Sequence, residues 1–322
     1  MTEIIVADIG GTNARFARAT LDAQGVPTLG PPRKYKVADH ASLQSCWAAF
    51  EKDEGGDLPR AASIAFATAI GRDVIKLTNS SWVVRPDTLD EDLGLDHLKL
   101  VNDFEAVAHA VSRLPPENLP LLFGEDKPFP RDGGVTVLGP GTGLGVAMIA
   151  YDEGVPHVIA TEGGHLDWAP LDALEGRILD YLRDKFLRVS TERIVSGPGL
   201  NNLYKAMATI GHERVMLMDD AELWQTALED GDPFARTVLE RFCLSYGSVA
   251  GDLALAHGPH GVVLAGGLTQ RMREFLPHSG FHQRFTAKGR FQGLMASVPI
   301  RLAVHDEIGL YGAAAAYREK TA

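Results

Sequence analysis

Cysteine is nearly missing from this 322-residue sequence: only Cys46 and Cys243 occur, far apart and in no CxxC or Cys/His spacing. That excludes a disulfide framework and a cysteine-built zinc site, and it fits a reducing cytosol. No apolar run approaches the roughly 18 residues a membrane helix needs, and no basic segment followed by an apolar one opens the chain. Positive charge is also scarce, with 31 Lys and Arg against 42 Asp and Glu and a net charge of −11. Neither nucleic acid nor an anionic membrane is expected as a partner, because both need a positive field. The Asn79-Ser80-Ser81 triplet matches a glycosylation acceptor, which has no meaning in a protein that is never exported. Two nucleotide signatures are missing as well. There is no GxxxxGK(S/T) P-loop, and the glycine run at 139–145 is GxGxGxG opening a strand, not GxGxxG opening a helix. The expectation is a soluble cytoplasmic protein.

What is present is an ordinary globular composition, 45% hydrophobic and 23% charged. The chain exceeds the ~250–300 residues at which a single core stops growing, so two lobes are expected. Apolar runs predict strands at 4–8, 14–20, 33–37, 61–68, 73–78 and 98–102, with helices at 42–51 and 104–113. The Pro-rich stretch LPPENLPLLFGEDKPFP at 114–130 reads as a boundary between lobes. The pattern then restarts, with strands at 135–138 and 146–151 and helices at 172–188, 200–209, 220–229 and 233–256. Strands at 261–265 and 300–305 and an Ala-rich helix at 310–319 close the chain. Strand, glycine turn with Thr, strand occurs at 4–20 and again at 135–151, a weak internal repeat.

A glycine turn between strands lets backbone N–H groups approach an anion with no Cβ in the way. Gly10, Gly11, Thr12 and Asn13 suit that task, as do Gly139, Gly141, Thr142 and Gly143. One such turn alone is more often a plain hairpin. Two turns that each carry a Thr, with the Gly266-Gly267 pair after a strand, shift the balance to a clamp for nucleotide phosphates. Asp8 ends a buried-looking strand and needs a cation or several donors there. Beside phosphates the cation is Mg²⁺ with its water shell; the competing role is an Asp that caps the turn through Gly10 or Gly11 N–H.

Polar residues collect at strand ends and turns: Asn79, Asn102, Asp103, Glu162, His165 and Glu192. Taken singly each is weak, and for Asp103 a helix N-cap is the first expectation. Together, carboxylates and amides converging in a cleft suit a polyhydroxyl ligand, since each carboxylate accepts from more than one sugar O–H. A zinc site on Glu162 and His165 would need a third ligand that is not evident.

The ordered set DIGGTNAR, TNSSW, VNDFEAVA, GPGTGLGVA, TEGGHLDWAP, STERIVSGPGLNNLY, LAGGL and GLYGAAAAY resembles the bacterial glucokinases of the hexokinase/actin-like superfamily, over essentially the whole chain. The resemblance implies an α/β, two-lobed actin-like ATPase (hexokinase/ribonuclease H-like) fold with an interdomain cleft. Its small α/β domain would be 1–113 plus 304–322, and its large α/β domain 114–303. It implies glucose and ATP as substrates, with Mg²⁺ and commonly a homodimer. By the same resemblance, Asp8, Gly10, Gly11, Thr12, Asn13 and Arg15 meet the ATP phosphates, and Asp8 meets Mg²⁺ through water. Gly139, Gly141, Thr142 and Gly143 form the second phosphate motif, and Gly266 and Gly267 the adenosine motif. Asn102, Glu162, His165 and Glu192 match the sugar ligands and Asp103 the catalytic base. Two departures stand out. Ala69 replaces the Pro usual in relatives, and GHLDWAPLDALEG lacks the zinc-binding cysteines of the related repressor–kinase group. The rival readings are a kinase for another hexose or amino sugar, a sugar-responsive repressor, and an actin- or chaperone-like ATPase.

Overall fold

The opening run TEIIVADI forms strand β1 (Thr2–Ile9) because it has an apolar face on either side. Ile5, Ala7 and Ile9 enter one core and Ile4 and Val6 another, so the run is nearly continuous in hydrophobicity. A computed structural model describes the whole chain except residues 69, 71–72, 78–79, 230 and 318–322. It divides into two compact units, Met1–Pro115 with His305–Ala322, and Pro116–Val304.

In the first unit β1 pairs antiparallel with β2 (Asn13–Leu21), which also pairs with β3 (Pro27–Leu29) and β4 (Arg33–Lys36). β5 (Ala61–Phe66) runs parallel to β1; β6 (Ile75–Lys76) and β7 (Val83–Val84) form a small separate ribbon; β8 (His97–Asn102) runs parallel to β5. The sheet order is β3-β2-β1-β5-β8. Helix α1 (Leu43–Asp53) starts at a Ser42/Ser45 capping box and buries Leu43, Cys46, Trp47 and Phe50. Short α2 (Leu89–Leu93) precedes β8, and α3 (Asp103–Val111) follows it directly.

The second unit holds β9 (Leu121–Phe123), β10 (Gly133–Pro140), β11 (Leu144–Asp152) and β12 (Val155–Thr161). Helices α4 (Ala173–Phe186), α5 (Gly197–Gly211), α6 (Asp220–Leu228) and α7 (Pro233–His257) come next. After these come β13 (Gly261–Leu264), α8 (Gly267–Arg271), α9 (Phe281–Thr286), α10 (Gln292–Ser297) and β14 (Ile300–Leu302). The order is β12-β11-β10-β13-β14-β9. The chain then returns to the first unit as α11 (Ile308–Ala316), which lies on α3 and β1.

The two sheets repeat one design. β3-β2-β1-β5-β8 and β12-β11-β10-β13-β14 share an antiparallel hairpin in the middle and two parallel strands on the same side. The strand–turn–strand repeat seen in the sequence is the centre of each sheet. Several elements differ from expectation. The strand at 73–78 shrinks to Ile75–Lys76 among the described residues, the one at 300–305 stops at Leu302, and β3, β7, β9, β12, α2 and α8 to α10 had no expected counterpart.

Candidate active site

Asp8 and Arg15 are opposite one another in the β1–β2 hairpin, with Arg15 Nη1 3.2 Å from Asp8 Oδ2. Glu307, just before α11, takes another edge of the guanidinium, its Oε2 3.8 Å from Arg15 Nε. Strand alternation puts Asp8 on the Ile4/Val6 face, toward α11. A Cβ on Gly309 would lie 2.7 Å from Asp8 Oδ2, so any larger residue at this position in the first turn of α11 would push this carboxylate aside. The Asp8 side chain is 23% exposed. Burial pushes its carboxyl above the ordinary carboxylate range, against the opposing pull of the Arg15 charge and hydrogen bond. One guanidinium leaves this acid under-compensated.

The turn is closed by its own backbone. Gly10 N–H donates to the Asn13 carbonyl, and the Thr12 carbonyl accepts from Val37 N–H, both at 3.0 Å. Asp8 is therefore held by Arg15 and not by capping Gly10. Gly11 and Asn13 are half-buried and Thr12 is exposed.

At the β8–α3 junction Asn102 Oδ1 accepts from Phe104 N–H at 2.9 Å and from Glu105 N–H at 3.3 Å. Glu105 Oε2 accepts from Asn102 N–H at 3.3 Å, completing a capping box. Asn102 Nδ2 donates to the Thr68 carbonyl at 3.1 Å. The N-cap is thus Asn102, which corrects the expectation for Asp103. A cap needs extended backbone, and Asn102 has it (φ −68°, ψ 152°), whereas Asp103 is already the first helical residue. Asp103 is half-buried, its Oδ1 accepting from Phe104 N–H at 2.8 Å. Asn79 and Ala69 lie outside the described residues.

In the second unit the β10–β11 hairpin turns at Gly141-Thr142-Gly143, with Gly139 opposite Gly145 and Gly141 N–H donating to the Gly143 carbonyl at 2.8 Å. Thr142 is exposed. The N-terminus of α5 abuts this turn: Gly197 N–H donates to the Gly141 carbonyl at 2.7 Å, and Ser196 caps the helix through Gly199 N–H. Gly266 and Gly267 emerge beside the end of β10, where Ala265 N–H donates to the Leu138 carbonyl at 2.9 Å. Glu192 Oε2 accepts from Leu144 N–H at 3.0 Å, directly after the turn. Thr191 Oγ1 donates to the Gly164 carbonyl at 2.7 Å, joining Glu192 to the Glu162–His165 segment. Glu162 and His165 bracket a single helical turn, Oε2 to Nε2 3.8 Å, and both are exposed. The unit thus gathers the second glycine turn, the Gly266-Gly267 pair, Glu162, His165 and Glu192 around the start of β11.

The family model for glucokinase matches residues 5–320. The glucokinase of Zymomonas mobilis subsp. mobilis is 52% identical over 318 residues, 99% of this chain and 98% of its own.

The chain belongs to the glucokinase family.

The glucokinase of Stenotrophomonas maltophilia strain K279a is 40% identical, over 97% of this chain and 94% of its own. Among solved structures, glucokinase from an Antarctic psychrotroph matches with a TM-score of 0.85 at 34% identity, over 98% of each chain. A Balamuthia mandrillaris glucokinase solved with glucose shares the fold, with a TM-score of 0.80 at 21% identity, over 97% of this chain and 92% of its own. The fold is the mixed α/β, two-sheet, actin-like fold of the glucokinases. The activity class is that of a glycolytic kinase, EC 2.7.1.2, with ATP use implied by the family. Among the described residues no helix is long and apolar enough to cross a membrane.

Sequence reasoning passed over Glu307, Gly309 and the α5 N-terminus. Ser196 followed by Gly197-Pro198 was a legible helix start, with a cap residue and then Pro inside the first turn. Glu307 and Gly309 carried no local signal, because their partners Arg15 and Asp8 stand at the other end of the chain.

Proposed function

We propose that this chain transfers the γ-phosphoryl group of ATP to the 6-hydroxyl of glucose, giving glucose 6-phosphate. The observation that carries the proposal is the recurrence of one hairpin at the same place in two sheets of the same strand order. Each hairpin has a glycine turn and an exposed threonine, Thr12 or Thr142, so backbone amides and a hydroxyl are offered to phosphate twice over. Gly10, Gly11, Asn13 and Arg15 serve the first of these turns, Gly139, Gly141 and Gly143 the second, and Gly266-Gly267 the adenosine.

Asp103 removes the proton from the 6-hydroxyl as that oxygen attacks phosphorus in line, and Arg15 and the turn amides hold charge on the transferred group. Asn79, Asn102, Glu162, His165 and Glu192 bind sugar hydroxyls, the carboxylates as acceptors. Among the described residues no group of three or more His, Cys, Asp or Glu side chains is spaced to hold a metal. Mg²⁺ keeps several waters and binds through one or two carboxylates plus phosphates; Asp8, a carboxylate beside the first glycine turn with the Arg15 guanidinium 3.2 Å away, is the residue that would hold it. When bound, the ion neutralises phosphate charge. A homodimer in the cytoplasm, where ATP is made, completes the proposal; light scattering should give twice 34.7 kDa.

The test is a coupled assay with ATP, Mg²⁺ and a hexose panel. A site that hydrogen-bonds particular hydroxyls rejects analogues lacking them by up to ~10⁴ in kcat/KM. Glucose should lead galactose and fructose, and N-acetylmannosamine should be excluded. Comparable kcat/KM for N-acetylmannosamine would overturn the substrate assignment.

A further inference from the structure

Glu192 and Gly143 compete for one volume. A Cβ on Gly143 would overlap Glu192 Oε2 and lie 3.1 Å from its Cδ, and the three nearest atoms it would meet all belong to Glu192. The backbone at Gly143 is not in the left-handed region, so a Cβ there is opposed by this carboxylate, which would have to move aside, and not by the turn's conformation. Gly141, two residues earlier, is different: a Cβ there meets nothing within 4 Å. The same Oε2 accepts from Leu144 N–H, the first amide after the turn, at 3.0 Å.

We propose that Glu192 is a shared positioning residue through which sugar and nucleotide binding are coupled inside the second unit. This rests on the proposal above that Glu192 binds sugar and that residues 141–143 bind phosphate. An ionised carboxylate has about four acceptor sites. One orders the phosphate turn through a charge-assisted bond to Leu144 N–H, and the others are left for sugar hydroxyls. A bound sugar fixes the Glu192 rotamer, so Leu144 and the turn before it are held before nucleotide arrives. The nucleotide then has less ordering to do, and by linkage it returns the same factor to the sugar.

Calorimetry tests this without turnover, using glucose alone and the non-hydrolysable ATP analogue AMPPNP with Mg²⁺. In the parent, saturating glucose should tighten AMPPNP about five-fold or more, and Glu192→Ala should abolish that gain. Gly143→Ala, although it lies in the phosphate turn, should weaken glucose about ten-fold with no nucleotide present, because it displaces a charged acceptor. Gly141→Ala should leave the glucose Kd where it was. Added to Glu192→Ala, Gly143→Ala should cost no further glucose affinity, since the two act through one contact.

The coupling is overturned if Gly143→Ala binds glucose as the parent does, or if the double variant loses both factors in full. If Glu192→Ala itself binds glucose normally, the sugar role of Glu192 falls first and the coupling with it, so the two failures are distinguishable. Should Gly143→Ala not fold, Glu192→Gln keeps the volume but weakens the acceptor. AMPPNP affinity without sugar should then drop about five-fold, and an unchanged value overturns the coupling.

Discussion

Replacing Asp103 by Asn separates a structural role from a chemical one by size of effect. The cap of α3 belongs to Asn102, which the substitution does not touch. Asp103 contributes to the fold as a first-turn acid at the helix N-terminus, worth ~0.3–1 kcal/mol, and through the Phe104 N–H bond, for which an amide oxygen is an adequate acceptor. The variant should therefore lose no more than about 1 kcal/mol, a shift of roughly 2–4 °C in Tm for a unit of this size. An amide has no lone pair basic enough to take the hydroxyl proton, and losing a general base costs about 10²–10⁴ in rate, or ~2.7–5.5 kcal/mol of barrier. The expected result is a folded protein with kcat down by that factor, glucose Kd within a few-fold of the parent, and Tm nearly unchanged. Asn102→Ala is the contrast: removing the cap itself should cost ~1–2 kcal/mol of stability. Turnover of Asp103→Asn within a few-fold of the parent would place the base elsewhere and refute the mechanism.

Gly309→Ala should displace the Asp8 carboxylate, 2.7 Å from the added carbon; Mg²⁺-dependent AMPPNP binding should weaken about ten-fold while glucose Kd holds, and equal loss of both would refute the link to Asp8. Arg284→Ala removes one of two cations from the 1%-exposed Glu175 carboxylate, leaving Arg241; urea unfolding should show a loss of about 3 kcal/mol, and less than 1 kcal/mol would show the network to be slack. Burial draws the Asp172 carboxyl upward, but the Glu175 N–H and the Arg241 and Arg284 charges outweigh it and hold it below its ordinary 3.8. Its contribution is complete above that value and is lost as pH falls through the lower folded value, so Asp172→Asn should flatten the stability curve below about pH 4; an unaltered acid limb would exclude this group. Asp8 has the opposite sign. Its raised pKa means that ionisation costs the fold, so Asp8→Asn should melt no lower than the parent at pH 7 while losing turnover, and a clear drop in Tm would contradict the direction.

The hairpins of both sheets were legible because each sets a glycine turn between apolar runs, and α1 and α7 were legible from their helical spacing. β12 was not, because it is an edge strand with alternating exposure and contains Pro156, which only an edge accepts. Helices α8 to α10 have five or six residues each, too few to show a period. Asn102 and Asp103 both favour caps, and only the backbone angles say which one is the cap. The contacts that define the candidate site from afar, Arg15 with Glu307, Asp8 with Gly309 and Glu192 with Leu144, join residues whose proximity exists only after folding. The residue types were readable from sequence; their pairings were not.

The return of α11 makes the second unit an insertion into the first. Gly312 lies so close to α3 that a Cβ there would overlap the Ala106 carbonyl, and Leu310, Ala313 and Ala314 cover the face of Ile4, Val6, Ala17 and Ala19. During synthesis Pro116–Val304 emerges as one contiguous stretch and can close on itself. The first unit has to wait, because one face of its sheet stays uncovered until residues beyond His305 leave the ribosome. Those same residues bring Glu307 to Arg15 and Gly309 to Asp8. The acid beside the first glycine turn therefore acquires its surroundings only after the second unit has been made, so a chain cut short before α11 carries that turn without the partners that position it.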